Sequence, residues 1–336
     1  MAGESLISPV KDGFVAKQTT SIVTGGAGFI GSHLVDRLLE KGHQVICIDN
    51  LITGSRDNIR HLENHPSFRF LKADVSKDTE LELGDRVDYI YHLASPASPP
   101  KYLKYPIETL LVNSLGTYLL LKAARKYNSH FLLASTSEVY GDPKEHPQKE
   151  TYFGHVNPTG IRACYDEGKR FAEAITMEFY RQYRLKTRII RIFNTYGPRM
   201  QASDGRVISN FISQALSGQP VTIYGEGEQT RSFCYVSDMV AGILAVSESA
   251  DTIGQIVNLG NPHEINIRQA AELIVEKTGS KSPIVKKNQR LADDPEKRCP
   301  DIGRAAKLAG WTPKIDLKEG LSRTIEYFSE ELKKSK

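Results

Sequence analysis

Short apolar runs rich in Val, Ile and Phe recur along the chain, separated by longer stretches in which apolar residues fall three and four apart. The runs are Ser21-Ile22-Val23, Gln44-Val45-Ile46-Cys47-Ile48, Phe68-Arg69-Phe70-Leu71, residues 87–93, residues 130–134 and residues 187–193. Such runs between polar turns predict strands. The intervening periodicity predicts a helix over Ser32-His33-Leu34-Val35-Asp36-Arg37-Leu38-Leu39 and two long amphipathic helices over 104–127 and 162–183, which are also candidates for a subunit interface. Alternation of this kind predicts an α/β fold with a Rossmann-type doubly wound parallel sheet. After Phe193 the elements shorten between Gly and Pro turns such as Tyr196-Gly197-Pro198-Arg199 and Tyr224-Gly225-Glu226-Gly227, with helices near 207–217 and 237–249. The expected organisation is a flexible tail over 1–18, a sheet domain over 19–193 and a smaller C-terminal α/β domain over 194–336 that interleaves with it.

Gly25-Gly26-Ala27-Gly28-Phe29-Ile30-Gly31 lies between the first predicted strand and the first predicted helix. Glycines there let the turn close and let the backbone approach a pyrophosphate, whose charge then faces the free N–H groups of the helix N-terminus. The second strand ends in Asp49-Asn50, where a carboxylate can accept from adenosine ribose hydroxyls and would repel a 2′-phosphate, so NAD is expected over NADP. Downstream, Tyr165 and Lys169 stand four apart on a predicted helix and therefore share a face. A phenol with a pKa near 10 is a poor base at neutral pH, but a lysine charge beside it favours the phenolate, so the pair can take a hydroxyl proton while hydride leaves for NAD. Ala134-Ser135-Thr136-Ser137-Glu138 follows the fifth apolar run at a strand end, and Thr136 or Ser137 can share the substrate hydroxyl's hydrogen bond with Tyr165.

Composition narrows the partners. A net charge of +4 over 336 residues is mildly basic, and neither a Lys/Arg block nor a basic stripe interleaved with aromatics points to nucleic acid. Cys47, Cys164, Cys234 and Cys299 are scattered without metal-ligand spacing, so neither a metal site nor a disulfide framework is expected, and a reducing compartment fits. Neither a secretory signal nor a run long enough to span a bilayer is evident, and a cytoplasmic protein without membrane partners is expected.

The glycine loop, the Tyr165/Lys169 pair and Ser135-Thr136-Ser137-Glu138-Val139-Tyr140-Gly141 resemble the extended short-chain dehydrogenase/reductase superfamily of nucleotide-sugar enzymes. Within it, residues 92–99 (His-Leu-Ala-Ser-Pro-Ala-Ser-Pro), 162–170, 191–200 and Asp293-Asp294-Pro295-Glu296-Lys297-Arg298 are similar to the UDP-glucuronate decarboxylase family. The similarity covers nearly everything after residue 20. It implies NAD as cofactor, UDP-glucuronate as substrate and UDP-xylose as product, reached by oxidation at C4, loss of CO2 from the β-keto acid, protonation at C5 and re-reduction at C4. It also implies a homodimer.

The resemblance further implies Tyr165 as base and later acid, Lys169 as its tuner, Thr136 as orienter of the C4 hydroxyl, and Glu138 and Arg298 in the decarboxylation half. Cofactor contacts are implied for Gly25, Gly28, Phe29, Ile30 and Gly31, for Asp49, Asn50 and Asp74, and for Tyr165 and Lys169. Substrate contacts are implied for Ser98, Tyr102, Ser137 and Asn194, and for Arg206, Asn210, Tyr224, Arg231 and Arg298. Arg298 can hold the substrate carboxylate and Glu138 can shape the sugar pose or manage a proton through water. Thr159 and Ile161 depart from the Ile and the Pro or Val expected there. A UDP-glucuronate 4-epimerase, a 4,6-dehydratase and a redox-sensing NAD-binding scaffold without catalysis are the alternatives, opposed respectively by Glu138 with Arg298, by Ser137-Glu138 where an Asp/Glu pair is expected, and by the intact Tyr165, Lys169 and Thr136.

Overall fold

The computed structural model describes residues 18–78, 83–287 and 297–334. The expected tail therefore lies outside the described residues but for Gln18, as do Asp293, Asp294, Pro295 and Glu296. Strands β1 (Thr20–Thr24), β2 (Gln44–Ile48), β3 (Phe68–Leu71), β4 (Tyr89–His92), β5 (His130–Thr136) and β6 (Thr187–Ile192) form where the apolar runs predict them. The chain then makes β7 (Thr195–Tyr196), β8 (Val221–Tyr224), β9 (Thr230–Ser232) and β10 (Cys234–Tyr235) before β11 (Ile256–Leu259) returns to the edge of the main sheet beside β6. The result is a seven-stranded parallel sheet in the order β11-β6-β5-β4-β1-β2-β3. β11 was not anticipated from sequence, and it ties the C-terminal half into the first sheet.

Both faces of this sheet are buried, which is why its strands read as nearly continuous apolar runs. Ile22, Ile90, Phe131 and Ile189 enter one core cluster, while their chain neighbours Val23, Tyr91, Leu132 and Ile190 enter another, as the two-residue strand period requires. Helix α1 (Phe29–Glu40) connects β1 to β2. The expected helix over 104–127 is instead broken into α2 (Pro99–Lys104), α3 (Pro106–Leu111), a π turn over Val112–Gly116 and α4 (Thr117–Tyr127). Pro106 explains the first break, because its ring and missing N–H suit it to a helix start and not to a helix interior. Helix α5 (Ala163–Tyr183) matches the second long prediction, and α6 (Val207–Leu216) and α7 (Val236–Glu248) match the two shorter ones.

The remaining elements build a cap over one end of the sheet. Strands β12 (Glu264–Asn266), β13 (Ile284–Lys287) and β14 (Lys297–Arg298) join β9 and β8 in two small sheets, ordered β12-β9-β14 and β13-β8. In the first, Arg298 of β14 pairs in register with Arg231 of β9, so two cations stand side by side on adjacent strands. Among the described residues no helix is long and apolar enough to cross a membrane.

Candidate active site

The order of the main sheet reverses at β1, which has β2 on one side and β4 on the other, and a crevice opens at such a switch point beyond the strands' carboxyl ends. The glycine loop leaves β1 there. Gly25 has φ +72°, and a Cβ on it would lie 2.8 Å from the Ala94 backbone after β4; a Cβ on Gly31 would lie 2.1 Å from the Gly25 carbonyl oxygen. Only bare glycine allows this approach of two loops and the helix start. Helix α1 begins with neither a side-chain cap nor an acidic residue in its first turn, so its leading N–H groups remain available to an anion. This cradle fits the pyrophosphate of a dinucleotide.

Gly25, Gly28, Phe29, Ile30 and Gly31 all line the crevice, as do Asp49, Asn50 and Asp74. The Asp49 carboxylate accepts from the backbone N–H groups of Ala27 at 3.1 Å and Leu51 at 2.8 Å, which fixes it at the mouth of the glycine loop. Burial pushes its pKa up, and those two N–H groups pull the other way. Asn50 donates to Asp74 Oδ2 at 3.2 Å. Burial would raise the Asp74 pKa, but hydrogen bonds from Ser76 and Asn50 hold it below the ordinary value. The acidic edge disfavours a 2′-phosphate and fits NAD.

Past the crevice, Thr136 ends β5, and Tyr165 and Lys169 project from the first turns of α5. Four-residue spacing puts Tyr165, Lys169 and Glu173 on one stripe facing β5. Lys169 Nζ donates to the Ala134 carbonyl at 2.8 Å and lies 6.0 Å from the centre of the Tyr165 ring. Burial lowers its pKa to about 7, with the Glu173 charge opposing. Burial also raises the Tyr165 phenol, against a hydrogen bond from Thr136 that lowers it. The Glu173 carboxylate accepts from Ser135 Oγ at 2.6 Å and from Arg191 at 2.9 and 2.7 Å, so the floor beneath Lys169 is a satisfied buried network.

Glu138 occupies the 3₁₀ turn after Thr136 and is gripped by Arg162, at the N-cap of α5, and by Arg298 Nη1 at 2.6 Å. Burial alone would raise its pKa, but the two guanidinium charges and their hydrogen bonds outweigh that and hold the carboxyl well below its usual range. Glu138 is thus a fixed anion and not a proton carrier near neutrality. Arg298 Nη2 is buried with no protein partner among the described residues, and the residue lines the cleft.

Ser98, Ser137, Asn194, Arg206, Asn210, Tyr224 and Arg231 line the same cleft. Arg206 already holds Asp204 at 2.5 and 2.9 Å, and Asn210 Nδ2 donates to the Gly205 carbonyl at 3.1 Å. Ser98 Oγ is buried without a hydrogen-bond partner among the described residues. Tyr102 departs from its expected place: it is only 1 % exposed, and its ring stacks on Tyr165 with centroids 5.0 Å apart and planes 5° apart. It backs the Tyr165 phenol and is not among the residues lining the cleft, because helix α2 turns its side chain toward α5. Sequence reading also passed over Arg162 and Glu173. The signals were present, since Arg162 precedes Tyr165 by less than one turn and Glu173 extends the Tyr165/Lys169 spacing.

The NAD dependent epimerase/dehydratase family matches residues 21–260. UDP-glucuronic acid decarboxylase 1 of Xenopus tropicalis is 51% identical over 311 residues, covering 93% of this chain and 72% of that protein. Its namesake from Arabidopsis thaliana is 50% identical over 316 residues, covering 94% and 71%. Among solved structures, UDP-glucuronic acid 4-epimerase from Bacillus cereus, in complex with UDP-glucuronic acid and NAD, superposes with a TM-score of 0.84 at 28% identity, covering 93% and 99% of the two chains.

Proposed function

The chain belongs to the NAD dependent epimerase/dehydratase family and, within it, to the UDP-glucuronic acid decarboxylases, and on that premise we propose that its cleft converts UDP-glucuronate to UDP-xylose and CO2. Bound NAD would be held by the glycine loop with Asp49 and Asn50 and would supply the hydride acceptor for C4 and the source of the same hydride for the closing reduction. Tyr165 takes the C4 hydroxyl proton, with Thr136 orienting that hydroxyl and the Lys169 charge favouring the phenolate. A ketone at C4 makes the carboxylate at C5 a β-keto acid. The C5–C6 bond then breaks, its electron pair passing into an enolate across C5, C4 and the C4 oxygen as CO2 leaves. Protonation at C5 restores the ketone, and Tyr165 returns its proton to the oxygen when C4 is reduced. Redox balance closes within one turnover.

The observation that carries this reading is the clamp of Arg162 and Arg298 on Glu138, beside Thr136 and Tyr165. It provides a buried cation with an unused donor for a substrate carboxylate, held where it cannot swing away. Only stabilisation that grows toward the transition state speeds the step, and a donor fixed by Glu138 serves charge moving from carboxylate to enolate better than one that follows the leaving group. Purified protein incubated with NAD and UDP-glucuronate labelled at C6 is expected to release labelled CO2 and form UDP-xylose. UDP-galacturonate without CO2 would establish the epimerase instead, and absence of turnover would favour the scaffold.

We also assign Arg231 and Arg206 to the diphosphate, on cation chemistry and their place in the cleft, and the residues after 193 mainly to the UDP-sugar. A homodimer is supported by an apolar stripe running along α3, the π turn and α4: Ile107 is 62% exposed, Leu111 37%, Leu115 41% and Tyr118 41%, with Phe171 of α5 at 49%. Contiguous exposure of this kind marks an association surface. Sedimentation at equilibrium should give twice the mass of the chain, and a single-chain mass would remove the assignment. Four free thiols fit the reducing cytoplasm, a placement that recovery of the enzyme from a secretory compartment would overturn.

A further inference from the structure

On the outer side of the cap, three segments distant in sequence bring an imidazole, a carboxylate and a thiol together. His146 lies in the loop after the Glu138 turn, Glu264 opens β12, and Cys299 directly follows β14. One ligand atom from each lies within 4.8 Å of the other two. His146 Nε2 and Glu264 Oε2 are 2.8 Å apart. We propose that these residues form a binding site for a zinc-class divalent cation.

The donor set selects the class of ion. Nitrogen, sulfur and one carboxylate oxygen suit zinc and its borderline relatives, whereas magnesium and calcium take oxygen ligands. Three protein ligands leave the fourth tetrahedral position to solvent, and the site is reachable: the His146 and Glu264 side chains are 35% and 26% exposed, while Cys299 forms the buried floor. Binding breaks the Cys299 S–H bond, sends the proton to solvent and places the sulfur lone pair on the metal. One thiolate and one carboxylate then balance the divalent charge.

The surroundings hold the ligands in place. The second Glu264 oxygen accepts from Thr230 Oγ1 at 2.6 Å, fixing the carboxylate as outer partners do in metal sites. Cys299 and Gln148 are strapped together, with the Gln148 N–H on the Cys299 carbonyl at 2.9 Å and the Cys299 N–H on Gln148 Oε1 at 2.9 Å. The thiol rests against the Pro262 carbonyl at 3.3 Å. Each ligand thus belongs to a different cap segment, and a bound ion cross-links β12, the end of β14 and the loop that follows Glu138. Arg298 immediately precedes Cys299, so the cross-link anchors the strand that delivers the clamp to the cleft. No spacing motif announces the site, since His146 and Glu264 are 118 positions apart.

Cobalt(II) serves as the probe because thiolate ligation gives it a near-ultraviolet charge-transfer band. Titration of the reduced holoenzyme is expected to show that band saturating at one equivalent per chain, with zinc displacing it and raising the thermal midpoint. Cys299→Ser should abolish the band, and His146→Ala and Glu264→Gln should each weaken cobalt binding by at least about tenfold, the loss that removing even an outer partner of a ligand costs at metal sites, while NAD binding confirms that the variants are folded. Absence of the band in the wild type, or a band of unchanged affinity in both His146→Ala and Glu264→Gln, would overturn the proposal.

Discussion

Replacing Tyr165 by Phe is expected to abolish turnover at its first step, with CO2 release falling on the order of 10²–10⁴-fold, the range over which a positioned proton acceptor acts. The substitution removes only the hydroxyl. The ring can keep its stack on Tyr102 and its place on α5, so folding and the binding of NAD and UDP-glucuronate should survive. The decisive reading is reduced cofactor: stopped-flow absorbance should show no NADH transient in Tyr165→Phe under conditions where the wild type shows one. NADH appearing at the wild-type rate would mean that another group takes the C4 proton. Burial holds the Tyr165 phenol up and brings the Lys169 pKa down to about 7, so Lys169 changes charge close to neutral pH. A proton added to Lys169 favours the phenolate, so its tuning effect weakens as pH rises through that value unless the bound cofactor restores the charge.

Arg298→Ala should separate the two halves of the reaction. In the proposed mechanism C4 oxidation depends on Tyr165, Lys169 and Thr136, none of which the substitution removes, so NADH should still form. CO2 release should fall by on the order of 10²–10³, the scale for loss of one preorganised charge-stabilising donor. Single-turnover measurement of NADH alongside trapped CO2 checks this, and equal loss of both would sink the division of labour. A structural cost accompanies the change, because removing one partner of a buried ion pair strands the other, at about 3–5 kcal/mol; Arg162 remains on Glu138 and moderates it. The pH dependence has a definite sign. The Glu138 pKa is depressed in the folded protein, so the clamp's contribution to stability is fully present above the ordinary carboxylate pKa and is lost only as pH falls through the depressed value. Glu138 therefore stays ionised across the neutral range.

Much of this was legible in the residues. The six strands through β6 announce themselves because a sheet buried on both faces demands apolar side chains at successive positions, and the glycine loop does so because no other residue tolerates its approaches. What stayed hidden was created by the fold bringing distant segments together. β11 is a four-residue run, Ile256–Leu259, too short to stand out in a region of Gly and Pro turns. The Glu138 clamp joins residues 24 and 160 positions away, and no periodicity signals such pairs. The family resemblance implies a substrate contact for Tyr102, yet resemblance alone does not determine which way a short helix turns its side chains, and here the ring lies against Tyr165. The break at Pro106 was visible as a proline, yet the amphipathic pattern on either side masked it.

The return of β11 to the edge of the main sheet has a bearing on how the molecule is made. During synthesis the chain through β6 emerges with that strand paired to β5 on one side only, and its other edge, where the Ile189 N–H meets the Gln255 carbonyl in the finished fold, stays open until residue 259 has left the ribosome. An open strand edge is a template for pairing with another chain, and incompletely folded species with such edges are prone to aggregate. The nascent protein thus carries an open edge late into translation, and the segment that closes it, Ile256–Leu259, lies well beyond residue 193. Shuffling this cap onto another sheet would require carrying the strand with it, so the two halves are bound to be inherited together.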